Sequence, residues 1–399
     1  TTASNNTAVG YIALKMNTTG SLNAALGGDT LKVNTTGAQN VAVGMYALNA
    51  NTTASLNTAV GYTALLANTT GASNTAVGSY AGTAITTGGY NVAVGRQALM
   101  TTTTVNDNVA VGNNALRLNV TGAKNTAVGS SALDANTTGT ENVAVGANAG
   151  DAFTTGSYNI AMGADALGSD TLGSRSIAIG RRTLHAQNFT SATDAYNTAV
   201  GFEAGNDITT GTGNTFLGGI AGDSTTTGSN NTAVGYDALG LNTTADNNVA
   251  VGQDSMQANT TGAGNTATGV NSLGANTTGA NNTAIGFLAL DGTDDGAGNT
   301  AVGASALSAN CGDGNVAVGS SAGIAITGPS NTAVGNAAGY GLTSGGNNLV
   351  LGKDAGRTGS PGGNLTTGDH VISLGDESIG TANIQVDWTV ASDQRDKTD

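Results

Sequence analysis

Few residues of this chain have the types and spacing that catalysis or metal binding requires. The two histidines, His185 and His370, are 185 residues apart, whereas a metal site or a His-based triad needs its members within a few ångströms. The single cysteine, Cys311, lacks a disulfide partner within the chain and lies between Asn310 and Gly312. We therefore expect no metal, no cofactor and no active site built on these residues.

The acidic residues also lack a catalytic arrangement. Asp294 and Asp295 lie in a glycine-containing segment that suggests calcium, but the Gly-Gly-x-Gly-x-Asp nonapeptides of calcium-binding solenoids are missing. A carbohydrate-cleaving enzyme needs paired carboxylates in a groove, and the other acidic residues are scattered over variable positions. No Gly-Lys-Ser/Thr follows the frequent glycine pairs, so they are not phosphate loops. We predict that the chain is not an enzyme.

The composition excludes several classes of partner. Of 399 residues, 63 are glycine, 4% are aromatic and 10% are charged, which is far from an ordinary globular domain. The formal net charge of −14 argues against nucleic acid and anionic membranes, because both are bound through Lys and Arg. The chain also lacks a hydrophobic run of about 18 residues, so we expect no membrane insertion.

The dominant feature of the chain is the unit Asn-Thr-Ala-Val-Gly, which recurs every 17 residues. Its closing glycines run from Gly10 to Gly180, resume after one shift from Gly201 to Gly303, and continue with looser spacing to Gly375, giving 22 copies. A fixed short period predicts a solenoid, and a unit this short has no room for a helix plus a strand. We predict an all-β fold, a parallel β-solenoid or β-roll of about 22 coils.

Stacking of the units turns repeated positions into ladders, as residues 57–73 show in nearly pure form. We expect two short strands per coil, with Thr58 and Val60 on one face and Asn57 and Ala59 on the other. The Asn row is expected to hydrogen-bond from coil to coil, and the Val and Leu rows to form a thin apolar spine. The ladder residues of two successive coils are Asn57, Val60, Gly61, Leu65, Asn74, Val77 and Gly78.

A coil of this size buries little apolar surface. One Val and one Leu in 17 residues do not offset the conformational entropy lost when the coil is ordered. Association with further chains would supply the missing burial, and the Ala-Leu segment offers a second apolar face. We therefore expect a parallel homotrimeric rod, roughly 100 Å long if its strands are ~4.8 Å apart.

The Asn-Thr-Ala-Val-Gly unit, followed by turns of small residues, resembles the head repeats of trimeric autotransporter adhesins, the YadA-like β-roll. Repeats of the same style occur in phage tail fibres. The resemblance covers residues 1 to about 375, and the 17-residue period is longer than that of the adhesin heads. It implies a trimeric β-roll on a virion or a bacterial surface.

Residues 392–397 read Ser-Asp-Gln-Arg-Asp-Lys. They resemble the Ser-Asp-x-Arg-x-Lys motif that opens the endosialidase-type intramolecular chaperone of phage tail fibres and tailspikes. The resemblance implies a nucleophile at Ser392, a base at Lys397 that takes the Ser proton, and self-cleavage after Ala391. Asp396 departs from the family, which has an apolar residue before the Lys. We expect this chain alone to be inert, because it carries only the opening of the chaperone.

These patterns divide the chain into three parts. The solenoid covers 1–380, with an irregular coil at 181–200 and a looser coil at 353–375. The irregular coil includes the first histidine and four extra residues, which we expect to protrude as a loop. An alternating segment at 381–391 is predicted to form a capping strand, and 392–399 is the remnant of the chaperone motif.

The sequence favours a structural or adhesive fibre segment, namely the trimeric shaft or head of a phage tail fibre or a bacterial surface appendage. We expect an extracellular location and an unidentified cell-surface receptor or glycan as partner. The alternative is an ice-binding solenoid whose Thr and Asn rows order water. The Asn-Thr-Thr-Gly edge motivates this alternative, and the interruptions of the Thr rows at Val105, at Val120 and near Ser191 argue against it.

Overall fold

A computed structural model describes residues 2–360 and 363–379 of the chain. These residues form an all-β parallel solenoid without a helix, in which strands of three residues are stacked one per coil. The capping strand predicted at 381–391 and the chaperone motif at 392–399 lie outside the described residues. Within the described part, no helix is long and apolar enough to cross a membrane.

The first half of the strands comprises β1 Thr7–Val9, β2 Ala24–Leu26, β3 Val41–Val43, β4 Thr58–Val60, β5 Thr75–Val77, β6 Val92–Val94, β7 Val109–Val111, β8 Thr126–Val128, β9 Val143–Val145, β10 Ile160–Met162, β11 Gly173–Ser174 and β12 Ile177–Ile179. The second half comprises β13 Thr193–Asp194, β14 Thr198–Val200, β15 Thr215–Leu217, β16 Thr232–Val234, β17 Val249–Val251, β18 Thr266–Thr268, β19 Thr283–Ile285, β20 Thr300–Val302, β21 Val316–Val318, β22 Thr332–Val334, β23 Leu349–Leu351 and β24 Ile372–Leu374.

Each three-residue strand pairs in parallel and in register with the strand of the next coil, so that Ala59 lies beside Ala76. β11 and β13 are the exception and pair with each other in a separate two-stranded sheet. The predicted parallel stacking at a 17-residue spacing is confirmed. The expectation of two strands per coil is wrong outside the coils of β11 and β13, because the rest of the coil bends through left-handed residues such as Leu56, Thr63 and Leu65 (φ 66°, 56° and 51°).

Two sets of buried Asn side chains hold the coils together, and the first precedes the strands. In this strand ladder, the Asn74 N–H donates to Asn57 Oδ1 at 2.9 Å, and Asn74 Nδ2 donates to the Gly88 carbonyl at 2.8 Å. Each side chain therefore joins two coils through the backbone rather than only through its counterpart. An internal hydrogen bond of this kind contributes about 1 kcal/mol, and the same pattern recurs along the stack.

The second set, the turn ladder, lies at the Asn of Asn-Thr-Thr-Gly and runs only through certain coils. Asn68 Nδ2 donates to Asn51 Oδ1 at 3.1 Å and to the Gly71 carbonyl at 3.0 Å. Three members that end a run leave a buried Oδ1 without a hydrogen-bond partner: Asn68, Asn136 and Asn276. The next coil has Ile85, Phe153 or Thr293 at the same position, so the row stops where an Asn donor is missing.

The core consists of Ala and Leu rather than Val. Ala59, Ala64 and Leu65 are fully buried, whereas Val60 is half-buried and Val77 is 37% exposed. The expected grouping of Asn57 with Ala59 on one face is confirmed, but the Val row of the predicted spine lies on the outer face. Alternation along the strand forces this choice, because the side that buries the ladder Asn also buries the Ala two residues later.

Glycine replaces the core Leu in several coils, and a large apolar residue fills the space from elsewhere. A Cβ at Gly82 would lie 3.0 Å from Ile85 Cδ1, and Ile85 is fully buried at the turn-ladder position. The same exchange occurs at Gly150 with Phe153, Gly205 with Ile208, Gly323 with Ile326 and Gly339 with Leu342. The coil thus keeps its core volume by moving the bulky side chain three residues along.

Candidate functional site

The interior of each coil is filled by Asn, Ala and Leu side chains, so the outer rows are where a ligand or partner meets the solenoid. The strand face is the row pair formed by the first and third residues of the stacked strands. Its third residue is apolar in 21 of 22 strands, with Thr268 as the exception, and neither row contains a charged residue. The strand face is therefore a continuous uncharged stripe along the whole described stack.

A second outer surface is the Thr edge, formed by the two threonines of Asn-Thr-Thr-Gly. The first Thr is half-buried, and its hydroxyl donates to the next coil, as from Thr69 Oγ1 to the Thr86 carbonyl at 3.1 Å. The second Thr is exposed in nine successive coils: Thr19, Thr36, Thr53, Thr70, Thr87, Thr104, Thr121, Thr138 and Thr155. Most hydroxyls of the first Thr are thus engaged within the chain, and the second Thr forms one regular exposed row.

A third outer surface is the corner row, which consists of the residue immediately before each strand-ladder position. It carries aromatic and charged side chains in the middle of the chain. The Arg175 guanidinium carbon lies 5.1 Å from the ring centre of Tyr158 and 5.9 Å from that of Tyr196. Arg175 Nε is 3.0 Å from an oxygen of Asp194, and this ion pair raises the pKa of the guanidinium. Both tyrosines remain about half exposed.

The irregular coil brings Asp194 to this corner. Its longest exposed run is 190–192, and β13 follows this run and pairs with β11 of the preceding coil. His185 lies outside the exposed segment, half-buried, with Nδ1 3.1 Å from the Asp165 carbonyl oxygen. The predicted loop is therefore shorter than the irregular coil, and the histidine belongs to the regular part of the stack.

Two buried groups have titration behaviour set by the core. Asp170 stands at a turn-ladder position, and its burial raises the pKa of the carboxyl although Gln187 Nε2 (2.6 Å) and the Gly173 N–H (2.9 Å) donate to it. Burial also raises the pKa of the Cys311 thiol, whose sulfur lies 3.2 Å from Thr293 Oγ1. A buried thiol with a raised pKa is a poor nucleophile.

An open cavity of about 480 Å³ lies at the end of the stack, between the last two coils. Asp354 lies beside both Arg357 and Lys353, and Asp376 and Glu377 also line the cavity. The hydrogen bond from Arg357, followed by that from Lys353, lowers the pKa of the Asp354 carboxyl. Arg357 also lies over the Tyr340 ring, 4.7 Å from its centre. These contacts hold Asp354 in a surface ion-pair cluster rather than as an activated acid or base.

The other candidates from the sequence do not converge on a site. Asp294 and Asp295 are both exposed, and across residues 2–360 and 363–379 no three His, Cys, Asp or Glu side chains are grouped to hold a metal ion. Ser392 and Lys397 lie outside the described residues, so self-cleavage at this pair stays a prediction.

Comparison with known proteins does not extend this description. No protein-family model matches the sequence, and no curated protein shows a significant match. The resemblance of the repeat to adhesin heads and of the tail to a fibre chaperone therefore stays a prediction from the residues that carry it.

The corner row is the surface that reasoning from the sequence missed. The signal was present, because the same period that aligns the Asn row also aligns Tyr158, Arg175 and Tyr196 at one position of three successive units, once the four extra residues are allowed for. Stacking aligns every equivalent position of successive coils into a row on the solenoid, including positions whose residue type varies.

Proposed function

We propose that this chain is a structural and adhesive fibre segment that assembles in parallel with two further copies of itself through the strand face. It would serve as the shaft or head of a phage tail fibre or a bacterial surface appendage and attach to a host or surface receptor. The observation that carries the proposal is the strand face itself, an uncharged and mostly apolar stripe that a single chain leaves in contact with water.

The size of the strand face agrees with a stable interface. Twenty-two strands at ~4.8 Å spacing extend over about 100 Å, and three residues at ~3.3 Å give a width of roughly 10 Å. The face therefore offers on the order of 1,000 Å² per chain, against about 800 Å² per partner in a typical specific interface. A monomeric protein rarely leaves an apolar patch of this size exposed.

A second copy of the chain fits this face better than a different partner. The face repeats every coil with the same residue types, so a copy in parallel orientation meets it with matching spacing along its whole length. The absence of charge on the two rows removes the repulsion that identical faces would otherwise have. The number of three chains comes from the resemblance of the repeat to trimeric adhesin heads.

The solution mass tests the assembly. Light scattering with small-angle scattering on the same sample is expected to give three chains and a rod of about 100 Å or longer. The Val77→Lys substitution places a charge on the strand face and is expected to shift the mass toward one chain, because its ammonium would be buried in the interface. Thr70→Lys, on the exposed Thr edge, is the matched control and should leave the mass unchanged. A monomeric wild-type chain would refute the proposal.

The second candidate is an ice-binding solenoid, and one observation favours it. The exposed Thr row is unbroken over nine coils from Thr19 to Thr155, including the coils of Val105 and Val120. Such a row repeats a hydroxyl and a methyl group at ~4.8 Å. Thermal hysteresis of the purified chain separates this candidate from the fibre, since an adhesive fibre would show none. Replacing Thr87 and Thr104 by Lys would abolish hysteresis if the row binds ice.

A further inference from the structure

The corner row changes character along the chain. All its members have left-handed backbone angles, for instance φ 63° at Arg175 and 52° at Tyr196. In nine successive coils of the C-terminal half, the row contains only residues that suit or tolerate this conformation: Gly213, Asn230, Asn247, Gly264, Asn281, Gly298, Gly314, Ser330 and Asn347. In seven successive coils before them, it contains large aromatic or charged residues: Tyr90, Asp107, Lys124, Glu141, Tyr158, Arg175 and Tyr196.

The contrast between the two halves points to a role for the larger side chains. A left-handed angle is favourable for Gly and Asn and costs other residues about 1 kcal/mol each. The C-terminal half shows that the coil closes well with Gly and Asn at this position. Left-handed angles recur in every coil, for instance at Leu56 and Leu65, so the strain alone marks no site. What distinguishes these seven coils is that they carry aromatic or charged side chains at a position where Gly or Asn closes the turn in the C-terminal half.

The best-defined part of this surface is the group Tyr158, Arg175, Tyr196 and Asp194. The two rings and the guanidinium between them form a rigid stack, since Asp194 fixes Arg175 from the side at 3.0 Å. Tyr196 is 59% exposed, and the next residue in the row, Gly213, has no side chain. The Asn230 amide oxygen lies 2.7 Å from where a Gly213 Cβ would be, so a ligand on the exposed part of the Tyr196 ring would also meet this amide.

We propose that this part of the corner row, from Lys124 to Tyr196, binds a linear, neutral oligosaccharide along the outside of the solenoid. The inference rests on the proposed function, because it supplies the receptor contact of an adhesive fibre. Tyrosine rings present flat apolar faces on which the C–H groups of a sugar ring stack. Arg175 covers one face of each ring, and the exposed remainder of Tyr158 and of Tyr196 lies two coils apart, or roughly 10 Å. This separation is comparable with the length of a disaccharide.

The charges of the corner row from Lys124 to Tyr196 favour a neutral ligand over a charged one. Arg175 is paired with Asp194, and Lys124 lies 3.7 Å from Glu141, so the cations are already neutralised. The overall charge of −14 further disfavours an anionic polymer. A peptide ligand is less suitable, because peptides dock on sheet edges, in grooves or in pockets. Beside this row β12 is paired on both sides, and the separate sheet of β11 and β13 is only two residues long and too short an edge for an extended peptide.

The polar groups that a sugar needs are next to the aromatic stack. Thr190 and Ser191 are exposed in the segment that immediately precedes β13, and the Asp194 carboxylate and Arg175 guanidinium present further acceptors and donors. The four extra residues of this coil are the only lengthening of the repeat between Gly10 and Gly303. They therefore occur at the point where the proposed site has its charged pair.

Fluorescence polarisation tests the proposal on the full chain. The probes are labelled linear hexasaccharides of neutral sugars, namely maltohexaose, cellohexaose, mannohexaose and chitohexaose. At least one is expected to bind, Tyr196→Ala and Tyr158→Ala are each expected to raise its Kd at least tenfold, and Tyr236→Ala should leave the Kd within twofold. Tyr236 is a matched control because it is 58% exposed and lies outside the corner row.

Two outcomes overturn the inference: no probe binds at millimolar chain concentration, or all three tyrosine variants weaken binding equally. Circular dichroism of each variant establishes that the solenoid is intact. The mass of the same samples keeps the two proposals apart. A trimer that binds no probe refutes the sugar site alone, whereas a monomer whose binding depends on Tyr196 retains the site and refutes the assembled fibre.

Discussion

At the scale of single residues, the ladders tolerate little change in the group they carry. Asp170 occupies a position where many other coils have Asn, and burial raises the pKa of its carboxyl. The folded state therefore binds a proton at Asp170 more tightly than the unfolded chain does. Stability from this group is present at low pH and is lost as the pH rises through the unfolded and then the folded pKa.

The Asp170→Asn substitution is expected to stabilise the solenoid at pH 7 by about 1 kcal/mol, because it removes the buried charge and restores the ladder residue. The gain should shrink as the pH falls below the ordinary carboxyl pKa, where Asp170 is protonated in both states. Urea unfolding followed by circular dichroism at pH 7 and at low pH measures it. Asp295→Asn, at an exposed position, is the control, and a gain that does not depend on pH would contradict the explanation.

The glycine that closes each unit is required for a different reason, which is the approach of the next coil. At Gly61 the backbone has φ 140°, and a Cβ would lie 2.4 Å from the Gly78 carbonyl oxygen. We expect Gly61→Ala to lower the free energy of unfolding by about 2 kcal/mol or more. At Gly28 a Cβ meets nothing within 4 Å, so Gly28→Ala should be close to neutral. Equal effects of the two substitutions in thermal unfolding would refute this account.

At the scale of the coil, side-chain volume is conserved although its position is not. The pair Gly82 and Ile85 replaces the usual Leu and Asn, and the exchange leaves Asn68 Oδ1 without a partner. A buried acceptor without a hydrogen bond costs about 1–3 kcal/mol. The coil therefore accepts either Leu followed by Asn or Gly followed by a large apolar residue such as Ile. A mixed pair would either crowd the core or leave it partly empty.

A double-mutant cycle on Gly82 and Ile85 tests this coupling. Gly82→Leu alone crowds Ile85 and Leu65, whose side chains lie 3.0 Å from the added Cβ, and Ile85→Asn alone empties part of the core. Each is expected to cost about 2 kcal/mol. The double variant restores the common coil and gives Asn68 a donor, so it should be at least as stable as the wild type. Additive losses would show that the two sites are independent.

Much of the coil follows from the sequence, and the remainder does not for a physical reason. The spacing of the glycines gives the parallel stack and its register, and the Asn row gives the bonds between coils. The apolar character of Val60 does not predict which side of the strand is buried, because exposed apolar residues are common. It depends on the narrow cross-section, which admits Ala59 beside Leu65. The contacts of the corner row could not be predicted from the repeat spacing, because an ion pair such as Arg175 with Asp194 depends on how the irregular coil folds.

At the scale of the whole molecule, the described chain behaves as a stack whose outer stripe is left uncovered. If copies of the chain cover the strand face, folding and association are linked. The thermal midpoint should then rise with protein concentration, because mass action favours the assembled folded state.

Diluting the chain a hundredfold is expected to lower its thermal unfolding midpoint by several degrees, and Val77→Lys should remove most of this dependence. The measurement is a dilution series in differential scanning fluorimetry with an extrinsic dye, because the only Trp lies near the C-terminus. A midpoint that is constant over the series would indicate that one chain is stable alone. The Thr70→Lys control should follow the wild-type series.

The strict register of neighbouring coils has a consequence for how such a gene can vary. Asn57 and Asn74 occupy the same place in successive coils. Excising residues 58–74 therefore joins Asn57 to Thr75, and each remaining coil still stacks on a coil with the same repeat positions in register. The product would be a solenoid of the same cross-section that is shorter by one coil, or ~4.8 Å. Replication slippage between near-identical repeats can thus lengthen or shorten the molecule by whole coils. The length of the solenoid can therefore evolve without a change in how each coil folds.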